Sequence, residues 1–241
     1  MMIPDLNCDL GEHESAVSRK ALMGWIDSAN IACGGHAGNR DTMKESISLA
    51  LEHQVRIGAH PGLADDGGRG KRFPGADELI QLLDAQVLPF VELVTSKGAS
   101  LHHIKLHGTL YHATDQMPVL AEAYLEWCAR HIPQALIYAR SGGSTANLAS
   151  ERGITCWREC FLDRAYESDG SLRPRHHRDA LLQDLSELQQ RLSHWMTHQT
   201  LVSHDDTELL LACETFCLHG DGLQSLQFAQ CTREWFSRGP A

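Results

Sequence analysis

The stretch HHIKLHGTLYH, which begins at His102, holds four histidines and one lysine within eleven positions. Imidazole and amine groups this close in sequence could bind a metal ion or transfer protons. Side chains alternate across a β-strand, so His103, Lys105 and His107 would point to one face and His102 to the other. The pattern predicts that the first three form one wall of a site. His102 and His112 are expected to lie outside it.

A second polar pattern lies in DLNCDLGE, where Asp5, Asn7 and Asp9 alternate with apolar residues. At this spacing the three side chains would share one face of a strand. Asp9 could act as an acid or base there, and Asp5 and Asn7 could bind a substrate. The alternative is that Asp5 and Asn7 brace nearby loops.

Two further histidines suggest a metal site. His36 and His60 each follow an apolar run and lie close to glycine, in CGGHAG and AHPG. A carboxylate with two histidines can hold a catalytic divalent metal ion and leave a position open for water. The sequence therefore allows a metal site made of Asp9, His36 and His60. It contains no H-E-x-x-H motif, so metal-free acid and base chemistry remains an alternative.

Charged candidates occur at Lys105 and in the segment ECFLDRAY. Lys105 could bind a substrate carboxylate or stabilise an oxyanion. Glu159 and Asp163 could bind substrate or transfer protons, and Arg164 could bind a carboxylate through two parallel hydrogen bonds. The alternatives are a solvent-facing lysine and a surface loop of ion pairs.

The segment LHGDG contributes His219 and Asp221, two positions apart. Both could face a substrate. Asp221 directly precedes a predicted helix, so it could instead be the N-cap of that helix.

The elements that would carry these residues are short apolar runs alternating with longer segments in which apolar residues recur every three or four positions. The short runs predict seven strands, in IPDLNC, SANIAC, VRIGA, SLHHIKL, ALIYA, ITCWREC and TFCLHG. The longer segments predict helices over residues 40–53, 76–97, 117–131, about 178–198 and 222–236. Each helix can serve as the crossover between parallel strands, so the alternation predicts a parallel sheet.

The chain shows no long linker, so we predict a single α/β domain over residues 1–241, in which about seven parallel strands close into a distorted (β/α) barrel. An open, doubly wound sheet is the alternative. The polar motifs lie at the C-terminal ends of the predicted strands, and in a barrel those ends meet at one mouth. This convergence predicts an enzyme. The glycine-rich segment 62–72 is predicted to be a mobile loop over the site.

Composition excludes several classes of protein. The chain has 241 residues, of which 42% are hydrophobic and 22% charged, and this is typical of a soluble globular protein. No apolar run approaches the roughly 20 residues that cross a bilayer, so no membrane partner is expected. A net charge of −10 would repel phosphate backbones, which argues against nucleic-acid binding. The N-terminus does not resemble a secretion signal, so a cytoplasmic location is expected.

The eight cysteines are scattered without a C-x-x-C pair, so reduced and mostly buried thiols are expected. The motifs G-x-x-x-x-G-K-[ST] and G-x-G-x-x-G, which bind nucleotides, do not occur in the sequence. Any ATP would therefore have to be bound by another protein.

Taken in order, the polar motifs resemble those of the LamB/YcsF family, the A subunit of bacterial 5-oxoprolinase. The motifs are DLNCDLGE, SANIACGGHAG, IGAHPG, HIKLHGTLY, ECFLDRAYESDGSLRPR and CLHGDG, and they span almost the whole chain. The resemblance implies a barrel of the glycoside hydrolase/deacetylase type. It also implies ATP-dependent opening of 5-oxoproline (pyroglutamate) to glutamate together with B and C subunits, which would use the ATP.

By the same resemblance, the family-typical positions are Asp5, Asn7, Asp9, Glu12, Asn30, His36, His60, Lys105, His107, Glu159, Asp163, Arg164, His219 and Asp221. We expect the catalytic residues to be Asp9, Lys105, His107 and Asp163. We expect the substrate-binding residues to be Asp5, Asn7, Asn30, Glu159, Arg164, His219 and Asp221. The alternative functions are a stand-alone metal-dependent amide hydrolase or sugar deacetylase, and a binding subunit without catalytic activity.

The chain departs from the family pattern at several places. The segment GEHESAVSRKALM replaces a glycine-rich turn with a charged one, and the loop GLADDGGRGKR differs from the usual aromatic-containing version. Gly35 stands where phenylalanine is usual, and Leu106 stands where proline is usual. The loss of an aromatic side chain at the mouth would widen the pocket.

Overall fold

The computed structural model describes residues 3–64, 72–222 and 224–238. Its strands are β1 (Asp5–Leu10), β2 (Ser28–Ala32), β3 (Arg56–His60), β4 (His103–Lys105), β5 (Leu136–Arg140), β6 (Cys156–Phe161), β7 (Leu201–Val202), β8 (Glu208–Leu209) and β9 (Thr215–His219). Seven of them form a closed parallel barrel in the order β1-β2-β3-β4-β5-β6-β9, and β9 pairs with both β6 and β1. The predicted barrel of parallel strands is confirmed.

The barrel is surrounded by helices α1 (Ala16–Met23), α2 (Arg40–Glu52), α3 (Ala76–Ser96), α4 (Gly108–Gln116), α5 (Pro118–His131), α6 (Ser144–Glu151), α7 (Leu185–His198) and α8 (Ser225–Arg238). The five predicted helices are present, although α7 begins at Leu185 rather than near residue 178. Helices α1, α4 and α6 were not predicted. They have only 8, 9 and 8 residues, too few for a clear helical repeat of apolar positions.

The first strand shows how the barrel separates polar from apolar side chains. Leu6, Cys8 and Leu10 are fully buried in the hydrophobic core outside the strands. The alternate residues Asn7 and Asp9 point into the barrel, where they bond to residues of other strands. The polar residues that face inward, all of them buried, are Asp5, Asn7, Asp9, Ser28, Asn30, His103, Lys105, Glu159 and Thr215. The predicted alternation along β1 and β4 is therefore confirmed.

Helix α3 has the length and hydropathy of a membrane-spanning segment. Its apolar face packs in the hydrophobic core outside the strands through residues that include Leu79, Leu83, Val87 and Phe90, each of them fully buried. Packing against the barrel therefore accounts for the apolar character of this face.

The long connection between β6 and β9 folds back on itself. Isolated bridges join Arg164 to Leu181 and Tyr166 to Leu172. The connection also carries α7 and the antiparallel pair β7–β8. Residues 172–175 reach the mouth of the barrel in this way. Of the predicted mobile loop, residues 65–71 lie outside the described residues.

All eight cysteines are free thiols, and six of them are buried. The expectation of reduced, mostly buried cysteines is confirmed.

Candidate active site

A cavity of about 420 Å³ opens at the C-terminal ends of the barrel strands. The polar residues that line it are Asp9, Glu12, His60, Lys105, His107, Thr109, Tyr111, His112, Gln116, Arg164, Arg175 and His219. They come from β1, β3, β4, α4 and β9 and from the connections after β1, β4 and β6. The predicted convergence of remote motifs on one mouth is thus observed.

A buried ion-pair network occupies the base of the cavity. Lys105 Nζ lies 2.8 Å from Asp9 Oδ1 and 3.0 Å from Glu159 Oε1. Burial alone would lower the pKa of Lys105, but the charge of Asp9, with Cys217 and Glu159, outweighs it and raises that pKa well above its usual value. Burial would likewise raise the pKa of Asp9, and Lys105 and His60 hold it well below its usual range. Lys105 is therefore a buried cation rather than a solvent-facing charge.

Three predicted substrate-binding residues lie beneath this network. Asn30 Nδ2 donates to Asp9 Oδ1 and to Asn7 Oδ1, both at 2.7 Å. Asn7 Nδ2 in turn donates to Glu159 Oε1 at 2.9 Å. Among the described residues that line the cavity, none of Asn7, Asn30 and Glu159 is found. Asn30 and Glu159 bond to Asp9 and Lys105 and hold them in place, and direct substrate contact by the three residues stays a prediction.

Two other predicted residues lie further from the cavity. Asp5 Oδ2 accepts hydrogen bonds from Ser28 Oγ at 2.8 Å and from Arg56 Nη1 at 2.7 Å, at the opposite end of β1 from Asp9. Asp221 is exposed, and α8 begins four residues later at Ser225. Asp221 is therefore not directly before the helix, and the expectation that it is the N-cap was wrong. Neither acid lines the described part of the cavity.

His103 also points into the barrel but stays below the cavity. Its Nε2 lies 2.6 Å from Asn30 Oδ1, and its ring stacks on Tyr138 with centroids 3.9 Å apart. A side chain at Gly58 would collide with this ring, so the absence of a side chain there gives His103 its space. The alternation along β4 correctly predicted that His103 faces the interior of the barrel. It did not predict that this side chain lies below the cavity.

The histidines of three motifs converge on one carboxylate. Glu12 Oε1 lies 2.8 Å from His36 Nε2, 3.0 Å from His107 Nδ1 and 3.5 Å from His60 Nε2. His60 Nδ1 lies 2.8 Å from the carbonyl oxygen of Lys105 and can only donate to it, so His60 Nε2 presents its lone pair to the cluster when the ring is neutral. Such a bond from the second ring nitrogen is typical of histidines that bind metals.

This cluster could hold a metal ion. One ligand atom from each of Glu12, His36, His60 and His107 lies within 4.8 Å of the others. Nitrogen and carboxylate ligands suit zinc and similar divalent metals. His36 Nδ1 is buried and finds no hydrogen-bond partner among the residues that the structure describes. Burial lowers the pKa of His36 to about 4, so its ring is neutral as ligation requires.

The predicted metal set is corrected in one respect. His36 and His60 belong to the cluster, but its carboxylate is Glu12 rather than Asp9. Asp9 instead lies close to Cys217 and His219, in a second group of ligand atoms. Glu12 follows Asp9 by three residues, beyond the end of β1, where strand alternation no longer predicts direction.

A histidine–aspartate pair borders the same cavity. Asp163 Oδ2 lies 2.8 Å from His219 Nδ1, and His219 Nε2 lies 3.9 Å from Asp9 Oδ2. Burial would raise the pKa of Asp163, but His219 lowers it to about 2. Asp163 is therefore ionised and holds the ring, while the other nitrogen of His219 faces Asp9.

Arg164 lines the cavity and is only 4% exposed. The alternative of a surface ion-pair loop is therefore wrong for this residue. Its guanidinium donates to the carbonyl oxygens of Arg173 at 2.7 Å and Ala180 at 3.3 Å.

The expectation that His112 lies outside the site was wrong, because His112 lines the cavity. The sequence analysis also missed Tyr111 and Cys217. Tyr111 and His112 line the cavity from α4, and Tyr111 donates to Glu159 Oε2 at 2.8 Å. Leu110 and Ala113, both fully buried and three positions apart, were a weak signal for this short helix. Cys217 Sγ lies 2.9 Å from Lys105 Nζ, and its inward face followed from the alternation along β9.

Comparison with known proteins now identifies the family. The model of the LamB/YcsF family matches residues 4–239. The chain belongs to the LamB/YcsF family. Among its LamB/YcsF relatives, it is 40% identical to the A subunit of 5-oxoprolinase from Erwinia tasmaniensis over 238 residues, covering 97% of this chain and 95% of the relative. It is 33% identical to the corresponding protein from Brevibacillus brevis, covering 98% of this chain and 95% of the relative.

A solved structure agrees with the fold. The lactam utilization protein from Thermus thermophilus superposes with a TM-score of 0.89 at 27% sequence identity, covering 98% of this chain and 97% of that one. This LamB/YcsF member and the Thermus thermophilus protein therefore share the barrel fold over nearly the whole length of both chains.

The departure at Gly35 does not widen the cavity at that point. A Cβ atom on Gly35 would lie 2.2 Å from Gln86 Nε2 and 2.3 Å from the carbonyl oxygen of Gly62. Gln86 fills this space from α3 and bonds to both the N–H and the C=O of Gly62, at 3.0 and 2.8 Å. The expectation of a wider pocket at Gly35 was therefore wrong, because another side chain occupies the space.

Proposed function

We propose that this chain is the A subunit of an ATP-dependent 5-oxoprolinase, which hydrolyses the cyclic amide of 5-oxo-L-proline to L-glutamate together with B and C subunits. The observation that carries the proposal is the match, over nearly the whole chain, to relatives named as the A subunit of 5-oxoprolinase. The cavity at the barrel mouth supplies acids, bases and cations for such a reaction.

The reaction breaks one bond and needs two proton transfers. Water adds to the ring carbonyl carbon, the C–N bond of the lactam breaks, and the nitrogen takes a proton to become the amine of glutamate. The groups that transfer protons must therefore lie beside a position that can hold both the carbonyl and the nitrogen. Asp9 and His219 meet this requirement, since both line the cavity and lie 3.9 Å apart.

We assign proton transfer to His219 and the orientation of its ring to Asp163. The ionised Asp163 accepts from His219 Nδ1, so it also stabilises the imidazolium that forms when His219 Nε2 takes a proton. Asp9 positions the attacking water, and Lys105 keeps Asp9 ionised. Two carboxylates already neutralise Lys105, so binding of the substrate carboxylate falls to Arg164.

His107 contacts Glu12 and His60 rather than a strand neighbour. We assign it to the cluster with Glu12, His36 and His60, and these residues would hold a divalent metal ion. When bound, such an ion would polarise a carbonyl group or lower the pKa of a water molecule.

ATP is proposed to act through the partner subunits. The chain contains no P-loop or dinucleotide-binding motif, so it has no recognisable nucleotide site of its own. We also propose that the complex acts in the cytoplasm, where ATP is available to it.

The test is ATP-dependent hydrolysis of 5-oxo-L-proline by the B and C subunits with and without this chain. We expect glutamate to form only when all three are present. Replacement of Asp9 by Asn should abolish most of the activity, whereas Arg130→Gln, which removes an exposed ion pair with Glu126, should not change it. Full activity without this chain would overturn the proposal, and full activity with Asp9→Asn would remove Asp9 from the mechanism.

A second candidate is a stand-alone metal-dependent amide hydrolase or sugar deacetylase. The observation that favours it is the cluster of Glu12, His36, His60 and His107. The test is release of acetate from N-acetylated sugars by the purified chain loaded with zinc, in the absence of ATP and of the B and C subunits. Turnover under these conditions would support this candidate over the first.

A further inference from the structure

One wall of the cavity carries three basic side chains. His112, Arg164 and Arg175 line it together, beside Leu172 and Pro174. Burial lowers the pKa of His112, and the charge of Arg164 lowers it further, whereas the charge of Asp115 raises it.

Arg164 is the central observation. It is 4% exposed, and the described residues place no carboxylate within ion-pair distance of its guanidinium. The nearest acid in sequence, Asp163, is directed to His219 instead. Two carbonyl oxygens accept from Nε and Nη2 and leave the other guanidinium donors for a further partner. Within the described part of the chain, the buried guanidinium of Arg164 thus donates to carbonyl oxygens and makes no direct ion pair, and it borders an open cavity.

The beginning of α4 adds to the positive potential. Gly108 and Thr109, its first two residues, line the cavity, and the N-cap residue His107 makes no capping hydrogen bond with its side chain. The N-terminus of a helix carries a partial positive charge that favours anions.

Lys105 cannot serve the same purpose. Its ammonium group is already in contact with Asp9 and Glu159, so an additional carboxylate there would meet two negative charges. The cation of the cavity that remains for a substrate carboxylate is therefore Arg164, which lines the cavity together with His112 and Arg175.

We propose that His112, Arg164 and Arg175 form an anion subsite that binds the ring carboxylate of the substrate, so that the site selects lactams bearing a carboxylate over neutral lactams. This inference rests on the proposed function. Arginine binds carboxylates through two parallel hydrogen bonds, which would fix the orientation of the ring as well as its position. The amide of the ring then extends toward Asp9 and His219.

The test compares two probes that differ only in the carboxylate. Isothermal titration calorimetry measures the affinity of the full chain for 5-oxo-L-proline and for 2-pyrrolidone. We expect the wild-type chain to prefer 5-oxo-L-proline by at least about tenfold, since hydrogen bonds to charged groups contribute about 1.5–3 kcal/mol. Arg175→Gln and His112→Gln should reduce this preference, while affinity for 2-pyrrolidone stays unchanged.

Two further variants and one competitor complete the test. Arg164→Gln should have the largest effect, but it also removes bonds to two carbonyl groups, so the conclusion depends on Arg175→Gln if Arg164→Gln fails to fold. Arg130→Gln removes the same charge from an exposed ion pair and should leave both affinities unchanged. Inorganic phosphate serves as a competitor.

The possible results separate the two proposals. Equal binding of the two lactams by the wild-type chain would overturn the subsite and leave the proposed function intact. Binding of neither lactam would overturn both. If Arg175→Gln and His112→Gln weaken phosphate binding but leave the lactam preference unchanged, the wall binds a different anion and the carboxylate subsite is overturned.

Discussion

Asp163 Oδ2 accepts two hydrogen bonds from His219, one from Nδ1 at 2.8 Å and one from the backbone N–H at 3.0 Å. The two bonds join the segment after β6 to the end of β9 and fix the ring relative to its own backbone. The free edge of the ring, Nε2, is therefore directed toward Asp9 across the cavity. This relationship gives Asp163 a positioning role and His219 the direct role in proton transfer.

Asp163→Asn should lower kcat of the reconstituted complex by about 10²–10⁴-fold, because a neutral amide does not stabilise the His219 imidazolium. The measurement is the pH profile of 5-oxo-L-proline turnover. His219→Gln should cause a similar loss, and the double variant should lose little more, since the two residues act as a unit. Additive losses would show that they act separately.

Asp163 should also make stability depend on pH. Its pKa is depressed to about 2, so its contribution is present above the unfolded-state value of about 3.9 and is lost as the pH falls toward 2. The contribution amounts to about 2.6 kcal/mol at neutral pH. Urea unfolding should therefore show a difference between wild type and Asp163→Asn at pH 7 that shrinks toward pH 2. A constant difference would contradict this prediction.

Lys105→Met should reduce the free energy of unfolding by about 3–5 kcal/mol, because it leaves Asp9 and Glu159 buried without their shared cation. Chemical denaturation measures the change. Adding Asp9→Asn to Lys105→Met should recover part of the loss. Lys44→Met, at a half-exposed position paired with Asp41, is the control and should change stability by about 0.5 kcal/mol or less.

Gly35→Ala should destabilise the protein by about 1–3 kcal/mol, because the new Cβ would meet Gln86 and the backbone of Gly62 below 2.5 Å. Gly75→Ala is the matched control, since a Cβ there meets nothing within 4 Å. Thermal unfolding of both variants gives the comparison. Equal stability of the two would show that Gln86 moves aside without cost.

The purified chain should bind about one equivalent of zinc, measured by mass spectrometry of the metal, and Glu12→Gln or His36→Gln should reduce the amount. The bound ion should raise the melting temperature, because a ligand at 100 times its Kd adds about 2.7 kcal/mol to stability. His131→Gln, at an exposed position on α5, should retain the metal. Full zinc binding by Glu12→Gln would exclude the cluster.

The sequence by itself predicted the closed barrel and which side chains face its interior. The alternation of Asn7 and Asp9 with Leu6 and Cys8 is a local property of an extended chain. It can therefore be predicted without knowing which strands lie on either side. The arrival of polar motifs at one mouth also followed, because parallel strands in a barrel all end on the same side.

Only the tertiary structure determined how deep each inward-facing side chain lies in the barrel and which residues it contacts. Strand alternation places Asn7, Asn30 and His103 on the inner face, but the register between neighbouring strands determines that they lie beneath Asp9 rather than in the cavity. Residues beyond the strand ends take their direction from loop conformation, which is why Glu12 meets His36 and His107 while Asp9 lies beside His60 and His219. Gln86 occupies the space beside Gly35 from a helix about fifty positions away in sequence, and only packing between distant elements determines such a contact.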